Sequence, residues 1–223
     1  MIKLVDVFKT YEQNKNNKIT ALQNINLHIK EGELVVLRGS SGSGKSTILS
    51  LIAALNKPTS GEVIVDNKKI SKLPDNFASI YRRDNIGFVF QKYNLISTMS
   101  VKDNIILPLI PLNLPVDEVQ KRFESVSKLF DISHKQDMII KNLSGGEQQR
   151  VAIARANINN PKIIIADEPT ANLDDELSRN FIKILSDLKK LNRTIVVATH
   201  DPIFFGLDVV DREIKIDKGK III

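Results

Sequence analysis

The stretch that decides the fold runs from Leu34 to Ser46 and reads Leu-Val-Val-Leu-Arg-Gly-Ser-Ser-Gly-Ser-Gly-Lys-Ser. Leu34 to Leu37 is a continuous apolar run, typical of a strand that is buried on both faces of a parallel sheet. Gly39 to Ser46 matches the pattern G-x-x-x-x-G-K-[ST], and a helical stretch follows from Lys45 to about Leu55. A strand, a glycine-rich loop and a helix in this order predict a phosphate-binding loop in an α/β protein.

The loop residues are expected to contact different parts of a bound nucleotide and its metal ion. The glycines let the backbone fold around phosphates and point its N–H groups inward. Lys45 is expected to reach the β- and γ-phosphates, and the Ser46 hydroxyl to coordinate Mg²⁺. A Gly/Ser linker is the alternative, but a linker does not sit between a buried strand and a helix. The predicted nucleotide-binding positions are Gly39, Ser40, Ser41, Gly42, Ser43, Gly44, Lys45, Ser46 and Thr47.

A second apolar run, Ile163 to Ala166, ends in the two carboxylates Asp167 and Glu168. Ligands of doubly wound sheets bind outside the carboxyl ends of the strands. Asp167 is therefore predicted to join the Mg²⁺ shell, and Glu168 to orient and polarise an attacking water. The alternative is a strand-to-turn transition that simply ends in acids.

Three further side chains complete the predicted site. His200 follows the apolar run Thr194 to Ala198, where it is expected to contact the γ-phosphate and hold the water. Gln91 follows the predicted strand Ile86 to Phe90 and can coordinate Mg²⁺ or the water. Tyr11 is predicted in a loop after the first strand, where its ring can stack on adenine; simple packing is the alternative.

The segment Leu143 to Arg150 reads Leu-Ser-Gly-Gly-Glu-Gln-Gln-Arg and predicts a capped helix start. Ser144 and Glu147 have the spacing of a capping box. Gly145 and Gly146 carry no side chains, so their backbone N–H groups can approach an anion closely. A helix N-terminus attracts negative charge, so the segment is a candidate anion site. An ordinary N-cap is the alternative.

Composition excludes several classes of protein. The 223 residues fit one large domain, and the absence of cysteine rules out a disulfide framework. The net charge of +6 comes from 32 basic and 26 acidic residues spread along the chain, without the footprint of a nucleic-acid-binding protein. No apolar run approaches the roughly 18 residues that span a bilayer. We therefore expect a cytoplasmic protein that reaches a membrane only through a partner.

The pattern along the chain predicts an α/β core interrupted by helices. Met1 to Phe8 is predicted as a strand, Asn14 to Lys18 as a polar turn, and the chain end as a hairpin. Residues 92–160 are mostly helical in pattern, which predicts an inserted helical segment. The predicted single domain thus consists of residues 1–91 and 161–223 as core, with 92–160 as the insertion.

Together these motifs resemble those of the ATP-binding-cassette ATPases, the nucleotide-binding subunits of ABC transporters. The resemblance covers nearly the whole chain and implies a P-loop NTPase core with an antiparallel β subdomain and an inserted α-helical subdomain. It also implies an ATP hydrolase that uses ATP and Mg²⁺. The motifs are the Walker A loop Gly39 to Thr47, the Q-loop Gln91, the signature Leu143 to Gln148, the Walker B strand Ile163 to Glu168, the D-loop Ala171 to Asp174 and the switch histidine His200.

The resemblance further implies that two chains pair head to tail when ATP binds. Each ATP would lie between the Walker A loop of one chain and Ser144 to Glu147 of the other, with Asp174 near the opposite site. Asn172 stands where the family often has serine, and Arg38 where small or apolar residues are usual. The sequence offers no explanation for Arg38.

Within the family, three segments are most similar to the bacterial MacB, LolD and FtsE group: Ile86 to Leu95, Ser100 to Pro108 and Pro169 to Asp174. The resemblance implies integral membrane permease subunits as partners, at the inner face of the cell membrane. Efflux, lipoprotein release and envelope mechanotransmission remain open, as does a non-transport role in cell division. The predicted docking loop contains the apolar residues Tyr93, Leu95, Ile96 and Met99, with packing inside the helical segment as the alternative.

Overall fold

A computed structural model describes residues 1–14, 17–171 and 173–222. The strands are β1 (Ile2–Asn14), β2 (Asn17–Ile29), β3 (Leu34–Arg38), β4 (Ser60–Val65), β5 (Lys68–Lys69), β6 (Ile86–Val89), β7 (Ile163–Asp167), β8 (Thr194–Thr199), β9 (Arg212–Asp217) and β10 (Lys220–Ile222). The α-helices are α1 (Lys45–Ile52), α2 (Asp75–Asn85), α3 (Val101–Ile106), α4 (Val116–Leu129), α5 (Gly145–Asn157) and α6 (Asp175–Lys190). Short 3₁₀ turns lie at Leu107–Leu112, Ser133–Lys135, Ile140–Asn142 and Pro202–Phe204.

The central sheet has six strands in the order β10-β9-β3-β8-β7-β6. Its strands pair in parallel except for β10, which runs antiparallel to β9. The apolar runs of β3, β7 and β8 are buried because helices cover both faces of the sheet. The predicted α/β class is confirmed, and the carboxyl ends of β3, β7 and β8 meet at one edge.

Side chains of β3 alternate between two cores, as the pleat of a strand requires. Val35 and Leu37 join the core shared with α1 and with an antiparallel sheet of order β2-β1-β4-β5. Leu34 and Val36 join the core on the other face, shared with α6 and the helical segment. By the same alternation Arg38 lies on the α6 side of the sheet.

The segment between β6 and β7 is helical, as the sequence pattern indicates. Its helices α3, α4 and α5 contribute Ile105, Phe123 and Val151 to the same core as α6. Helix α5 carries the signature at its N-terminus and ends at Asn157, close to the strand edge formed by β6. The boundary of a helical subdomain at residues 92 and 160 stays a prediction.

The structure corrects several element boundaries. Tyr11 lies inside β1 rather than in a loop, because a long hairpin extends both first strands to Asn14 and Asn17. Residues 15 and 16 of the predicted polar turn lie outside the described residues. Gln91 lies two residues beyond β6, which ends at Val89. Helix α2 was not predicted from the sequence. No helix within the described ranges is long and apolar enough to cross a membrane.

Candidate nucleotide site

The glycine-rich loop between β3 and α1 is pressed against neighbouring backbone. A Cβ atom at Gly44 would lie 2.8 Å from the carbonyl oxygen of Ala21, and Gly44 has a φ of +110°. A Cβ atom at Gly39 would lie 2.2 Å from the carbonyl oxygen of Ile216. Alanine is therefore excluded at both positions by close approach, which the pattern of glycines alone does not reveal.

The loop encloses groups that suit phosphate. Lys45 is only 4% exposed, and its Nζ donates to the carbonyl oxygens of Gly39 at 2.7 Å and Ser40 at 3.1 Å. The buried Ser43 hydroxyl has no hydrogen-bond partner among the described residues. A cleft of about 230 Å³ opens here, lined by Ala21, Ser41, Gly42, Ser43, Gly44, Lys45, Ser46, Thr47, Gln91, Glu168 and His200. A cation, an unpaired hydroxyl and the N-terminus of α1 in one cleft fit the phosphates of a nucleotide.

Glu168, directly after β7, is held by contacts from the end of β8 and from Lys45 at the start of α1. Its Oε2 accepts hydrogen bonds from the Thr199 hydroxyl at 3.1 Å and from the His200 backbone N–H at 3.3 Å, and lies 3.0 Å from His200 Nδ1. Its Oε1 lies 3.4 Å from Lys45 Nζ. The Glu168 backbone has a φ of +43° and donates to the Ala198 carbonyl at 2.8 Å. A left-handed non-glycine residue held this tightly is typical of a functional site.

The two adjacent carboxylates have pKa values shifted in opposite directions. Burial works to raise the pKa of Glu168, but hydrogen bonds from His200 and the charge of Lys45 outweigh it, so the pKa is lowered. Burial raises the pKa of Asp167, and the nearby Glu168 charge adds to this, although a hydrogen bond from Ser46 opposes it. Glu168 is therefore an ionised base, whereas Asp167 bears an unfavourable charge that a cation would relieve.

The Mg²⁺ chemistry predicted for this edge is compatible with the geometry. Ser46 Oγ donates to Asp167 Oδ1 at 2.9 Å, so a hydroxyl and a carboxylate oxygen stand side by side. Hard oxygen ligands of this kind are those that Mg²⁺ prefers. Gln91 lines the same cleft. Two of the three predicted metal-binding residues thus line the cleft, and the third, Asp167, is hydrogen-bonded to Ser46; their ligation of Mg²⁺ stays a prediction.

Asp167→Asn is expected to raise the melting temperature of the nucleotide-free protein at neutral pH by a few degrees. The folded-state pKa of Asp167 is raised, so stability falls as pH rises from the unfolded value through the folded value. Removing the charge removes this penalty, and the difference should shrink as pH falls toward about 4. Thermal unfolding without Mg²⁺ measures it, with the exposed Asp208→Asn as control. A lower melting temperature for Asp167→Asn at neutral pH would contradict the assignment.

The signature forms the predicted capping box at the start of α5. Ser144 N–H donates to Glu147 Oε2 at 2.8 Å, and Glu147 N–H donates to Ser144 Oγ at 3.4 Å. Lys135 contacts the other Glu147 oxygen at 2.5 Å and, with the Ser144 backbone, lowers the pKa of Glu147. Ser144 and Gly145 are exposed, and neither lines the cleft of the glycine-rich loop. Within one chain the candidate anion site and the nucleotide cleft are therefore separate.

The two signature glycines have different surroundings. A Cβ atom at Gly145 would meet no described atom within 4 Å, whereas one at Gly146 would lie 2.7 Å from Leu177 of α6. Gly145 is open on its outer side, and Gly146 lets α5 pack closely on α6. Asp174 begins α6 as its N-cap, accepting the Leu177 N–H at 2.8 Å, and is itself exposed.

One predicted site residue, Tyr11, falls outside this picture, and two residues that belong to it were not predicted. Tyr11 does not line the cleft; Lys9 Nζ lies 4.7 Å from the centre of its ring. Asn172 lies outside the described residues. Ala21 lines the cleft from β2, and Thr199 bonds Glu168, but neither was predicted. For Thr199, its position beside His200 was a signal in the sequence that it belongs to the site, whereas Ala21 had no such signal.

Comparison with known proteins decides the family. The family model described as ABC transporter matches residues 22–171, which include the glycine-rich loop, Gln91, the signature and both carboxylates. The chain belongs to the ABC transporter family. As an ABC ATPase it binds ATP, uses Mg²⁺ and hydrolyses ATP. The predicted family, fold and activity are thereby confirmed, whereas the roles of individual residues stay predictions.

Relatives of the ABC ATPase extend over most of its length. It is 48% identical over 213 residues to the uncharacterized ABC transporter ATP-binding protein MJ0796 of Methanocaldococcus jannaschii, covering 90% of this chain and 87% of that protein. A dimeric structure of MJ0796 bound to ADP and Pi, described as a post-hydrolysis state, has a TM-score of 0.90 at 43% identity and covers 99% of this chain and 96% of that chain.

Other relatives carry names that state a substrate. Macrolide export ATP-binding/permease protein MacB of Chlorobium luteolum is 43% identical over 201 residues, covering 90% of this chain but 30% of that protein. Methionine import ATP-binding protein MetN of Escherichia coli is 39% identical over 213 residues, covering 95% of this chain and 60% of that protein. The likeness to MacB agrees with the group predicted for the ABC ATPase.

Proposed function

We propose that this chain is the ATP-hydrolysing subunit of an ABC transporter, acting as a head-to-tail homodimer that drives membrane permease subunits from the cytoplasmic face. One observation carries the proposal: the signature helix presents an exposed N-terminus that does not line the nucleotide cleft of its own chain. In a two-fold dimer the same surface of each chain meets its copy, so each signature can serve the opposite cleft. The dimeric MJ0796 structure with ADP and Pi supports this arrangement.

Charged and polar residues in and beside the cleft have distinct parts in the proposed mechanism. Lys45 exchanges its contacts to the Gly39 and Ser40 carbonyls for the β- and γ-phosphates. Glu168, ionised and held by His200, accepts a proton from the attacking water or polarises it. Ser46 and Asp167 would hold Mg²⁺, which would neutralise charge on the phosphates.

The signature of the partner chain completes the proposed site. The N–H groups at the start of α5 and the positive end of its dipole stabilise negative charge on the γ-phosphate. Gly145 is open enough for a phosphate to approach, since a Cβ built there would meet no described atom within 4 Å apart from its chain neighbours and the backbone of its own helix. Asp174 begins α6 beside this turn and is expected to lie at the dimer interface.

The dependence of rate on protein concentration tests the proposed dimer. If one chain lacks a complete site, the ATPase rate per chain should rise with concentration and level off once dimers form. If a single chain carries a complete site, the rate per chain should be constant. The assay uses purified full-length protein with ATP and Mg²⁺ in excess.

The proposed contact with the membrane partner is a groove beside the Q-loop. A cavity of about 420 Å³ is lined mainly by apolar side chains, with Ile80, Phe88, Phe90, Pro108 and Pro111 among them. An amphipathic helix of a permease can lie in such a groove.

The docking loop predicted from sequence is only partly available for this role. Tyr93 is buried, and Leu95 packs against the core, which favours the packing alternative for both. Ile96 is 44% exposed, as is Ile80 in the groove. The groove therefore replaces that loop as the proposed contact.

Ile80→Glu is expected to leave the basal ATPase rate within about twofold of wild type and to release the chain from its permease, since one surface charge in an apolar interface costs several kcal/mol. Co-sedimentation of the tagged chain with membranes of its own cells measures binding. The matched control is Val116→Glu, at the start of α4, whose parent residue is 82% exposed. Equal membrane binding of both variants would contradict the proposed groove.

MacB is named for macrolide export and MetN for methionine import, and the chain is about equally similar to both. Efflux, lipoprotein release and envelope mechanotransmission therefore share the same ATPase mechanism here. Purification of the permease with this chain from its own cells identifies the branch.

A further inference from the structure

Arg38, which the family resemblance left without a role, joins two functional segments. It is the last residue of β3, directly before Gly39 of the glycine-rich loop. Its Nη1 lies 3.0 Å from Glu213 Oε2, and its guanidinium carbon lies 5.6 Å from the centre of the Phe205 ring. An arginine over an aromatic face is an attractive contact, so Arg38 binds both a charge and a ring.

Glu213 extends this contact to the segment that follows His200. Its second oxygen, Oε1, accepts the backbone N–H of Gly206 at 2.6 Å. Arg38 therefore contacts the ring of Phe205, and Glu213 binds the backbone of the next residue, Gly206. We call Arg38, Glu213, Phe205 and Gly206 the Arg38 clamp.

The segment that follows His200 has other attachments besides the clamp. The Thr170 hydroxyl donates to Asp201 Oδ2 at 2.6 Å, which ties the beginning of the segment to the chain just beyond Glu168. The buried Phe204 packs edge-on against Phe181, with ring centres 6.4 Å apart. Strand β8 already pairs with β3 up to Thr199, so the clamp is a further attachment, which connects the residues after His200 to the phosphate-loop strand.

Stability alone does not account for the clamp. The Arg38 side chain is 42% exposed, and ion pairs at that exposure contribute little. Its Nε atom is buried without a hydrogen-bond partner among the described residues, which is unfavourable. An arrangement that costs a buried donor and adds little stability calls for another role.

We propose that Arg38 is a positioning residue for ATP hydrolysis: through Glu213 and Phe205 it holds the segment after β8 so that His200 stays beside Glu168. His200 is exposed on its other side, so the backbone on either side of it must keep its ring 3.0 Å from the carboxylate. The inference rests on the proposed role of His200 in hydrolysis. It predicts that loss of the clamp affects turnover rather than ATP binding.

The kinetic test compares Arg38→Met with the matched control Arg179→Met. Arg179 forms a 3.8 Å ion pair with Asp175 on the exposed face of α6, away from the clamp. Arg38→Met should lower kcat by about tenfold, because small misplacements of reacting groups have effects of that order, and should leave KM for ATP within twofold. Arg38→Lys keeps the charge but loses the planar group that stacks on Phe205. Its kcat should therefore lie between those of the wild type and Arg38→Met. A raised KM with unchanged kcat would overturn the proposal, since it would place the effect in the phosphate loop.

A double-mutant cycle asks whether Arg38 acts through His200. In a His200→Ala background, followed with radiolabelled ATP, Arg38→Met should lower the residual rate by less than about twofold. An equal tenfold loss in both backgrounds would overturn the proposal, because a general structural effect would not depend on His200.

Nuclear magnetic resonance gives a readout that does not depend on activity. The chain has three histidines, so the ring signals of His28, His134 and His200 can be assigned from single substitutions. Arg38→Met should shift the His200 signal and leave the other two unchanged. An unchanged His200 signal would overturn the proposal. If His200→Ala hydrolyses ATP normally, the proposed role of His200 fails, whereas a shifted signal still establishes the positional link.

Discussion

Glu168→Gln should retain ATP binding and lose hydrolysis by at least about 100-fold, the lower end of the contribution of general base catalysis. The carboxylate is ionised because hydrogen bonds from His200 and the charge of Lys45 outweigh its burial, and an amide cannot replace this base. The side chain keeps its size, so the contacts from Thr199 and His200 can be retained. The ATPase rate is measured with saturating ATP and Mg²⁺.

The same variant is expected to accumulate as an ATP-bound dimer. When hydrolysis stops, the closed state has no route to opening other than ATP release, so size-exclusion chromatography with ATP should show a dimer that ADP does not produce. Glu124→Gln, on α4 and far from the cleft, is the matched control for loss of one carboxylate. Wild-type turnover in Glu168→Gln would remove this residue from the mechanism.

Ser144→Arg should abolish hydrolysis while leaving the ATP affinity of the isolated chain intact. Ser144 is exposed and does not line its own cleft, so one chain can still bind nucleotide. In the dimer, a bulky arginine would occupy the space of the partner's γ-phosphate and remove the N-terminal hydroxyl contact. A loss of about 100-fold or more is expected from disruption of such preorganised donors.

Ser144→Arg also removes a helix cap, and the resulting loss of stability has to be separated from the loss of hydrolysis at the partner's site. Ser144 caps α5 through Glu147, and removing such a cap costs about 1 kcal/mol. Ser100 is the N-cap of α3 and accepts the Asp103 N–H in the same manner, so Ser100→Arg removes a comparable cap elsewhere. Fluorescent-nucleotide binding and ATPase assays on both variants measure the two effects. If Ser144→Arg keeps wild-type turnover, the signature has no role at the partner's site.

The parts of the fold that sequence reasoning recovered are those with local causes. Residue types at fixed spacing predict the loop from Gly39 to Ser46. Uninterrupted apolar residues predict the buried strands β7 and β8. The capping box of Ser144 and Glu147 depends on two side chains three positions apart. Each of these features is set within a few residues, so a single sequence suffices to predict it.

The features that were missed depend on distant parts of the chain. Tyr11 was placed in a loop because the polar residues of a two-sided hairpin do not alternate clearly, and strand pairing with β2 overrides that weak pattern. Helix α2 carries the apolar residues Phe77 and Ile80 on its exposed side, so its sequence does not show a clear amphipathic pattern. Arg38 gains its partners only when β9 and the loop after β8 reach it, 167 to 175 positions later in the chain.

The central claim is that each catalytic site is shared between two chains. Lys45→Ala removes the phosphate contact of one chain, and Ser144→Arg removes the signature of the other, so each variant alone should be inactive. In a mixture, each heterodimer has one site with both residues intact, and random pairing should restore about one quarter of the wild-type rate. The ATPase rate of the mixture, set against that of each variant alone, tests the claim most directly. A mixture that stays as inactive as its parts, although size-exclusion chromatography shows heterodimers, would contradict it.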